Sequence, residues 1–480
     1  MNEICELVPS QKGNNKINVR GYLMVKERNR DDKYYWCCEK KKSEGCKGRA
    51  TTMLYNNLHY LKNFVAHGHA PQASNTNVAK AVAEVKKRAR ETREKPIQII
   101  QNNMVNISEE TRPCMPSRDS LRKRIARVRK TETPPEPQSI TEVNIPNSLQ
   151  ITLDGEQFLI KDHVIEQERI LIFTTENNIQ RLSQAVFWIM NGTFKTVPMI
   201  FCQLYTIHAP IGPENNSRVL PLVYALLTRK TEELYKWLFR DLSEFAEERH
   251  IQLMPSHIIT DFEKAAINAS NEEFPGVINK GCFFHLGQSG WRKIQDCGLA
   301  IRYGNDEHFS LMLRHLFALA FLPPEEIPTV FDILKPNMPP EASNVVQWFE
   351  DNYIYGRIRR QMLNGNVIRD SPLFPPALWS VYHSIELGIP RTQNVVEAWH
   401  RRWRTLVGES HVGVFTLIKE LQKEQQQVDV QAECIIRGEQ RPKQKKSLID
   451  RERRIMTIID NREDYLEMDF LREIAHNLSL

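Results

Sequence analysis

The 480-residue sequence predicts an α+β multidomain chain, with a small β-rich module, a basic helical linker, an α/β core with a helical insertion, and a helical C-terminal region in that order. The length exceeds one compact core of ordinary size, so two or three domains are expected. The charge changes sign along the chain, and strand-length apolar runs alternate with helical patterns only in its middle part. No apolar run reaches the roughly 20 residues that span a bilayer, so no membrane partner is expected. Nine cysteines, an odd number in a long chain, indicate a reducing compartment.

The charge divides the chain in two. Residues 1–133 hold 28 Lys and Arg against 14 Asp and Glu, a net charge of +14, whereas residues 134–480 hold 37 against 45, a net charge of −8. A strongly basic front end predicts contact with a polyanion, and a basic tail that only aids solubility is the alternative. The charge changes at Thr133-Pro134-Pro135-Glu136-Pro137, which cannot be helical because each proline lacks an N–H donor. The main domain boundary is expected there.

A metal site is predicted in residues 5–70. Two thiols and two imidazoles are the ligand set of a closed tetrahedral zinc site, and this segment has them in the spacing C-x7-C-x20-H-x-H: Cys38, Cys46, His67 and His69. Strand-like runs accompany them at residues 21–25, 34–36 and 49–52, and so small a Lys-rich segment cannot easily build its own core without a metal. Cys37 is a rival for Cys38, but adjacent strand residues point to opposite faces, and Cys38 is preferred. A chance grouping of surface His and free Cys is the alternative.

Residues 77–133 are expected to be a basic helical linker region that follows a linker-like stretch at residues 70–79. Helices are predicted from about Asn77 to Arg93 and from Ser117, after Pro116, to Lys130, because apolar residues recur there with helical spacing. Their basic side chains are candidates for contacts with DNA phosphates: Lys86, Lys87, Arg88, Arg90, Arg122, Lys123, Arg124 and Arg127. Such clusters also serve as nuclear import signals, which predicts a nuclear protein. A solvated helix face is the alternative for each cluster.

Strands alternate with helices in residues 140–300, which predicts a mixed sheet flanked by helices. The expected strands are residues 185–190, 199–208, 218–227, 257–260 and 281–284, and a long helix is expected over residues 231–248. Asn191 is expected to open the turn after the strand at residues 185–190, and Asp261 to close the short strand at residues 257–260. A third polar residue, Glu397, lies in the later helical part of the chain. Cleaving a phosphodiester bond with two divalent cations requires carboxylates from neighbouring elements. For Asp261, which precedes a helix, N-capping is a competing role.

Residues 301–480 are expected to be predominantly helical, broken by proline clusters near 323–328 and 372–376. They divide into residues 301–410, a helical insertion with the helix that carries Glu397, and residues 411–480, a helical C-terminal region. A homodimer with an interface in residues 434–480 stays open as an alternative.

Four short motifs within residues 5–70 are similar to those of a known family: Tyr22-Leu23-Met24, Tyr35-Trp36-Cys37-Cys38, Cys46-Lys47-Gly48-Arg49-Ala50 and His67-Gly68-His69-Ala70-Pro71. Together they resemble the FLYWCH-type zinc finger. Tyr22 replaces the usual first aromatic Phe, and Met24 stands where an aromatic residue is usual, but both keep strand character. The resemblance implies a zinc-stabilised, β-rich module that binds DNA or protein.

Further words within residues 150–410 carry a second resemblance: Asn191-Gly192-Thr193-Phe194-Lys195, residues 201–208, Thr260-Asp261-Phe262-Glu263-Lys264-Ala265 and Gly281-Cys282-Phe283-Phe284-His285. They resemble the transposase domain of Mutator-like elements (MULE), a transposable-element family with an RNase H-like fold. The resemblance implies two acids on strands and a third in a helix, which Asp261 and Glu397 match in part. It also implies accessory roles for Cys282 and His285, and His400 lies one helical turn after Glu397. Buried structural roles are the alternative for these three residues.

One position departs from the family pattern. The family has Asp before Gly-Thr-Phe, where this chain has Asn191. An amide brings no charge and cannot bridge two cations as a carboxylate does, so a degenerate Asn-Asp-Glu site with little or no cleavage is predicted. Mg²⁺ or Mn²⁺ is then expected only if the core is active. The leading hypothesis is a transposase-derived protein that binds Zn²⁺ and double-stranded DNA. An active MULE-type transposase and a zinc finger that binds a protein partner are the alternatives.

Overall fold

A computed structural model describes residues 3–8, 15–92, 94–131, 136–362, 367–443 and 445–478. It divides into two compact units, one up to residue 136 and one from residue 137 onward. The boundary expected at Thr133-Pro134-Pro135 lies outside the described residues. The mixed α+β class predicted from the sequence is confirmed, and each unit has cores of its own.

The first unit begins with a small closed barrel of six antiparallel strands, in which β1 pairs with both β2 and β6. The strands are β1 Ile4–Val8, β2 Lys16–Val19, β3 Tyr22–Arg30, β4 Lys33–Cys38, β5 Arg49–Tyr55 and β6 Leu58–Val65. Its core is small, with Trp36 at its centre and Ile17, Val19 and Met24 around it. The indole N–H of Trp36 donates to Oγ1 of Thr52 at 2.8 Å, which satisfies a buried donor. The strand-like runs read from the sequence lie in β3, β4 and β5.

Three helices follow the barrel: α1 Ala73–Glu91, α2 Pro96–Val105 and α3 Arg118–Thr131. Helix α1 starts inside the stretch that the sequence indicated as a linker, and α2 was not predicted. Ser117 caps α3 as expected, because its Oγ accepts from the N–H of Ser120 at 3.3 Å. Apolar residues of all three helices form a separate core, including Val85 of α1, Ile99 of α2 and Ile125 of α3. These helices therefore form a packed bundle.

The second unit is built on a seven-stranded mixed sheet in the order β13-β12-β9-β10-β11-β8-β7. The strands are β7 Leu159–Ile165, β8 Glu168–Phe173, β9 Phe187–Thr193, β10 Gln203–Ile211, β11 Arg218–Leu227, β12 His257–Thr260 and β13 Ile278–Gly281. The helices between them are α4 Glu176–Ser183, α5 Glu232–Glu247 and α6 Lys264–Glu273. Strands β7 to β11 pair antiparallel with their neighbours, whereas β12 runs parallel to β9 and β13.

The structure corrects the sequence at several strand ends. Strand β9 continues through Asn191-Gly192-Thr193, which the sequence indicated as a turn, because these residues pair with β10 opposite Thr206, Tyr205 and Leu204. The strand expected at residues 281–284 is wrong beyond Gly281, since α7 begins at Phe283. Strands β7 and β8 and helix α4 were not predicted. The strands at residues 218–227 and 257–260 agree residue for residue.

The rest of the second unit is mainly helical, as expected. Its helices are α7 Phe283–Asp296, α8 Ala300–Asn305, α9 Glu307–Ala318, α10 Ile327–Leu334, α11 Ser343–Phe349, α12 Pro376–Trp379, α13 Tyr382–Glu386, α14 Asn394–Val407, α15 Val414–Ile436, α16 Lys446–Asp460 and α17 Glu467–His476. A hairpin that the sequence did not predict, β14 Ile358–Gln361 with β15 Val367–Arg369, interrupts them. Among the residues described, no helix has both the length and the apolar character needed to cross a membrane.

Two apolar layers hold the sheet in place. Helix α5 packs on one face, where Leu238 and Phe239 belong to one apolar cluster with Trp188 and Met190 of β9. Helices α14 and α15 cover the other face, where Trp403 and Leu417 belong to one cluster with Tyr224 and Leu226 of β11. This second contact brings the N-terminus of α14 to the ends of β9 and β12, where the candidate catalytic residues lie.

Candidate functional site

Four potential zinc ligands meet at one end of the barrel. Cys38 ends β4, Cys46 precedes β5, and His67 and His69 follow β6. One ligand atom from each lies within 4.8 Å of all the others. Sγ of Cys38 is 3.2 Å from Nε2 of His69, and Sγ of Cys46 is 3.5 Å from Nδ1 of His67. A tetrahedral zinc ion would set such S–N pairs about 3.6 Å apart. The donor set and its spacing therefore fit zinc, and Cys37 is not part of the cluster.

The surroundings of the four side chains suit a metal. The N–H groups of Lys40 and Gly48 donate to Sγ of Cys38 and Cys46, each at 3.4 Å. Burial raises the pKa of the Cys46 thiol, but hydrogen bonds from the Gly48 and Gly68 N–H groups and from Cys38, together with the charge of His69, lower it, and the net pKa lies below its ordinary value. Nδ1 of His69 lies 3.0 Å from the carbonyl oxygen of Ala70 and donates its N–H to that oxygen. The lone pair of Nε2 is then free to bind a metal on the side of the cluster.

Gly48 makes room for His67. The His67 ring stacks on Tyr22 with a centroid separation of 3.8 Å, and Nε2 of His67 is buried without a hydrogen-bond partner among the described residues. A Cβ atom on Gly48 would lie 2.5 Å from Nδ1 of His67. Gly48 therefore belongs to the zinc site. The sequence analysis did not single it out, because a glycine has no side chain that could bind a metal.

A groove of about 940 Å³ lies beside the zinc cluster, between the barrel and helices α1 and α3. Cys38 and His69 line it on the barrel side, and four of the eight basic residues singled out in the sequence line it on the helical side: Lys86, Lys87, Arg90 and Arg124. On the barrel side, Lys16 and Lys40 are paired with Glu39 and Glu44. Burial lowers the pKa of Lys86, and the positive charges of Arg124 and Arg90 lower it further.

The other four basic residues do not line this groove. Arg88 is held by Glu94 through two hydrogen bonds of 2.7 and 3.0 Å. Arg122, Lys123 and Arg127 are exposed on α3. The sequence indicated one basic arm, and the structure divides it into a groove and an outer face.

Asn191 lies on β9 and contacts Glu397 directly. Its amide Nδ2 donates to Oε1 of Glu397 at 3.0 Å and to Oε1 of Gln393 at 2.9 Å, while its Oδ1 accepts from the N–H of Gly192 at 2.7 Å. Asn191 is buried, and all of these bonds suit an amide. Two of the three candidate catalytic residues are thus in contact.

Gln393, at the N-terminus of α14, joins the strands of this site. Its Nε2 donates to the carbonyl oxygens of Met190 and Ile259, each at 3.0 Å, and its Oε1 accepts from Asn191. The two backbone carbonyls leave Oε1 as the only atom that can face Asn191. The sequence did not single out Gln393, because a neutral amide carries no signal of chemistry.

Asp261 directly follows β12. In the parallel pairing of β9 and β12, Ile189 lies opposite Ile259, so Asn191 and Asp261 both come two residues later at the same edge of the sheet. Among the described residues, no hydrogen bond or ion pair joins Asp261 to Asn191 or Glu397. Burial and then Glu263 raise the pKa of Asp261 to about 6, although Lys230 opposes them. Glu263, bound to Lys230 at 3.0 Å and to the hydroxyl of Tyr235 at 2.8 Å, was not singled out in the sequence.

His285 and His400 lie near Glu397, and Cys282 lies beside Gln393; Cys282 and His400 are buried, and His285 is partly buried. Nε2 of His285 lies 3.8 Å and Nδ1 of His400 lies 3.9 Å from Oε1 of Glu397. Burial lowers the pKa of His400 to about 4 against the effect of Glu397, and it raises the pKa of Cys282 to about 11. The Cys282 thiol accepts from the N–H of Gln393 at 3.3 Å. These contacts brace α14 against the sheet.

Comparisons with known families identify two domains. The model of the FLYWCH zinc finger domain matches residues 7–69, which include all four clustered Cys and His residues. The model of the MULE transposase domain matches residues 187–289, which include Asn191, Asp261, Cys282 and His285. The chain therefore joins a FLYWCH zinc finger domain to a MULE transposase domain, and both family resemblances are confirmed. No curated protein matches the chain. The bounds of the linker, the insertion and the C-terminal region stay predictions.

Replacing Gly48 by Ala should weaken zinc binding at least about tenfold, because the new methyl group displaces the His67 ring. Competition with a chromogenic chelator measures the affinity. Gly68→Ala is the matched control, since a Cβ atom there meets nothing within 4 Å. Equal zinc affinities for the two variants would contradict this role of Gly48.

The pKa of about 6 for Asp261 predicts a pH-dependent stability. Because this lies above the unfolded value of about 3.9, the folded chain holds more protons between about pH 4 and pH 6, and the free energy of unfolding falls as the pH rises through that window. Asp261→Asn should remove this decline and raise stability at pH 7 by about 2–3 kcal/mol. Urea unfolding across the window checks this result. The exposed Asp154→Asn is the control, and a parental pH profile for Asp261→Asn would contradict the expectation.

Proposed function

We propose that the chain is a transposase-derived protein of the nucleus that binds zinc and double-stranded DNA. The observation that carries this proposal is the basic groove beside the Cys and His cluster. Its helical wall presents Lys86, Lys87 and Arg124, none of which forms an ion pair with an acidic residue in the described part of the chain. On the barrel wall, the lysines Lys16 and Lys40 form ion pairs with Glu39 and Glu44.

Electrostatics favours a phosphate ligand in this groove. Like charges that lie near one another in a half-buried wall repel, and the lowered pKa of Lys86 reflects burial and this repulsion. Phosphates of a DNA strand relieve the repulsion and release counterions when they bind. Such contacts position the protein on the duplex without reading its sequence. Cys38 and His69 belong to both the metal cluster and the groove, so zinc fixes the wall on which DNA lies.

For the second unit we propose an RNase H-like core with a degenerate catalytic site. Support comes from the mixed sheet, from Asn191 on β9 and Asp261 after the neighbouring β12, and from Glu397 on α14 beyond a helical insertion. These positions correspond to the two strand acids and the helix acid of the family pattern, with Asn191 in place of the first acid.

The contacts of Asn191 support the loss of catalysis. An aspartate at this position would set its carboxylate against Oε1 of Gln393 and Oε1 of Glu397, both of which accept hydrogen bonds from the present amide. The amide hydrogens occupy the place where a cation would bridge two acids. The residues present do not fit a pair of Mg²⁺ or Mn²⁺ ions, which need charged oxygen ligands from neighbouring elements.

DNA binding should depend on the groove. The triple variant Lys86→Ala, Lys87→Ala, Arg124→Ala should reduce the slope of log affinity against log salt by about 2 to 3, because each phosphate contact contributes about 0.9. Fluorescence anisotropy of a labelled random duplex at several salt concentrations measures the slope with the full chain.

Arg122→Ala, Lys123→Ala, Arg127→Ala is the matched control, since it removes the same charge from the exposed face of α3 outside the groove. Equal losses in both triple variants would contradict a groove site. A slope near zero for the unmodified chain would instead indicate a protein partner for the zinc finger.

Cleavage of supercoiled DNA by the unmodified chain with Mg²⁺ or Mn²⁺ should stay at background. Asn191→Asp should lower the free energy of unfolding by about 1–3 kcal/mol without a divalent cation, because the buried Gln393 and the partly buried Glu397 lose their hydrogen-bond donor. Mn²⁺ should then raise the melting temperature of Asn191→Asp more than that of the parent. Robust cutting by the parent that Asp261→Asn abolishes would overturn the degenerate site.

A further inference from the structure

We propose that the hairpin β14–β15 is a second contact with duplex DNA, made by the transposase unit rather than by the zinc finger unit. This inference rests on the DNA-binding function proposed above and adds a site to it. The hairpin interrupts a helical region, and every described residue of β14 is exposed.

The charge of the hairpin is opposite to that of the unit that carries it. Residues 356–362 and 367–370 contain four arginines and one aspartate, whereas residues 134–480 carry a net charge of −8. Arg357, Arg359 and Arg360 are exposed and form no ion pair with any residue that the structure describes. Three arginines together without acidic partners, on the surface of an acidic unit, fit a polyanion.

The base of the hairpin is firmly held. Arg369 donates to Oε1 of Glu350 at 2.6 Å and to the carbonyl oxygen of Gly356 at 2.8 Å, and the buried Glu350 also binds Lys335. Gly356 has a φ of +86°, and a Cβ atom there would meet the carbonyl oxygen of Asp370 at 1.8 Å. One arginine thus fixes the base, and the other three stay available.

The shape fits the same ligand. A two-stranded β-ribbon enters the major groove of B-DNA, which is about 12 Å wide. The pairing register shifts between Ile358 and Arg360, so Arg359 is an extra residue without a cross-strand partner. The exposed apolar side chains of Ile358 and Ile368 alternate with the arginines and suit contacts with sugars and thymine methyl groups.

The test compares full-length variants in the anisotropy assay. Arg357→Ala, Arg359→Ala, Arg360→Ala should reduce the salt slope by about 2 to 3 and weaken binding, in addition to the loss from the groove variant. Arg437→Ala, Arg453→Ala, Arg472→Ala is the matched control, because it removes three exposed arginines of the same unit that each face an acid. This control should leave the slope unchanged.

The outcomes separate the two proposals. If the hairpin variant shows the same salt slope as the unmodified chain while the groove variant shows a reduced one, the hairpin site is wrong. The proposed function would still stand. Equal losses in the hairpin and control variants indicate a general effect of charge and also overturn it. No salt-dependent binding by the parent overturns both. A hairpin variant that binds DNA like the parent but dissociates from a dimer assigns the surface to a second copy of the chain and overturns the DNA contact.

Discussion

The side chain of Gln393 holds the candidate core site together. It is fully buried, its amide nitrogen binds the carbonyl oxygens of Met190 and Ile259, and its oxygen accepts from Asn191. A buried amide that lost these partners would carry a cost of about 1–3 kcal/mol for each unmet group, so Gln393 ties α14 to β9 and β12. Because Gln393 lies at the start of α14, it also sets where Glu397 enters the site.

Hydrogen bonds connect the side chains of this site. Asn191 joins Gln393 to Glu397, and the partly buried His285 and the buried His400 flank that carboxylate. Asp261 stands apart with a raised pKa, next to Glu263 and not to Glu397. In the degenerate site proposed above, the amide of Asn191 donates hydrogen bonds to Gln393 and Glu397, so the fold needs no cation to offset repulsion between two acids at this position.

The sequence predicted what depends on chemical type and spacing. The zinc cluster followed from four ligand residues, and the strands at residues 218–227 and 257–260 followed from short apolar runs bounded by turns. It missed Gln393 and Gly48 because an amide and a glycine act there through the position of their neighbours. The sequence placed Asn191 in a turn because an Asn-Gly pair is typical of turns. In the structure, pairing with β10 keeps Asn191 in an extended strand. The groove could not be predicted, since its charges come from two helices that only tertiary packing brings together. The hydrogen bonds of Arg88 to Glu94 likewise depend on the folded chain.

Cys38 and His69 belong at once to the metal cluster and to the wall of the basic groove. Two ligands whose sites share residues are thermodynamically linked. If bound zinc increases the affinity for a phosphate, the bound phosphate increases the affinity for zinc by the same factor. Under the function proposed above, DNA in the groove is therefore expected to slow the loss of zinc, so zinc depletion and thiol oxidation act first on chains that hold no DNA.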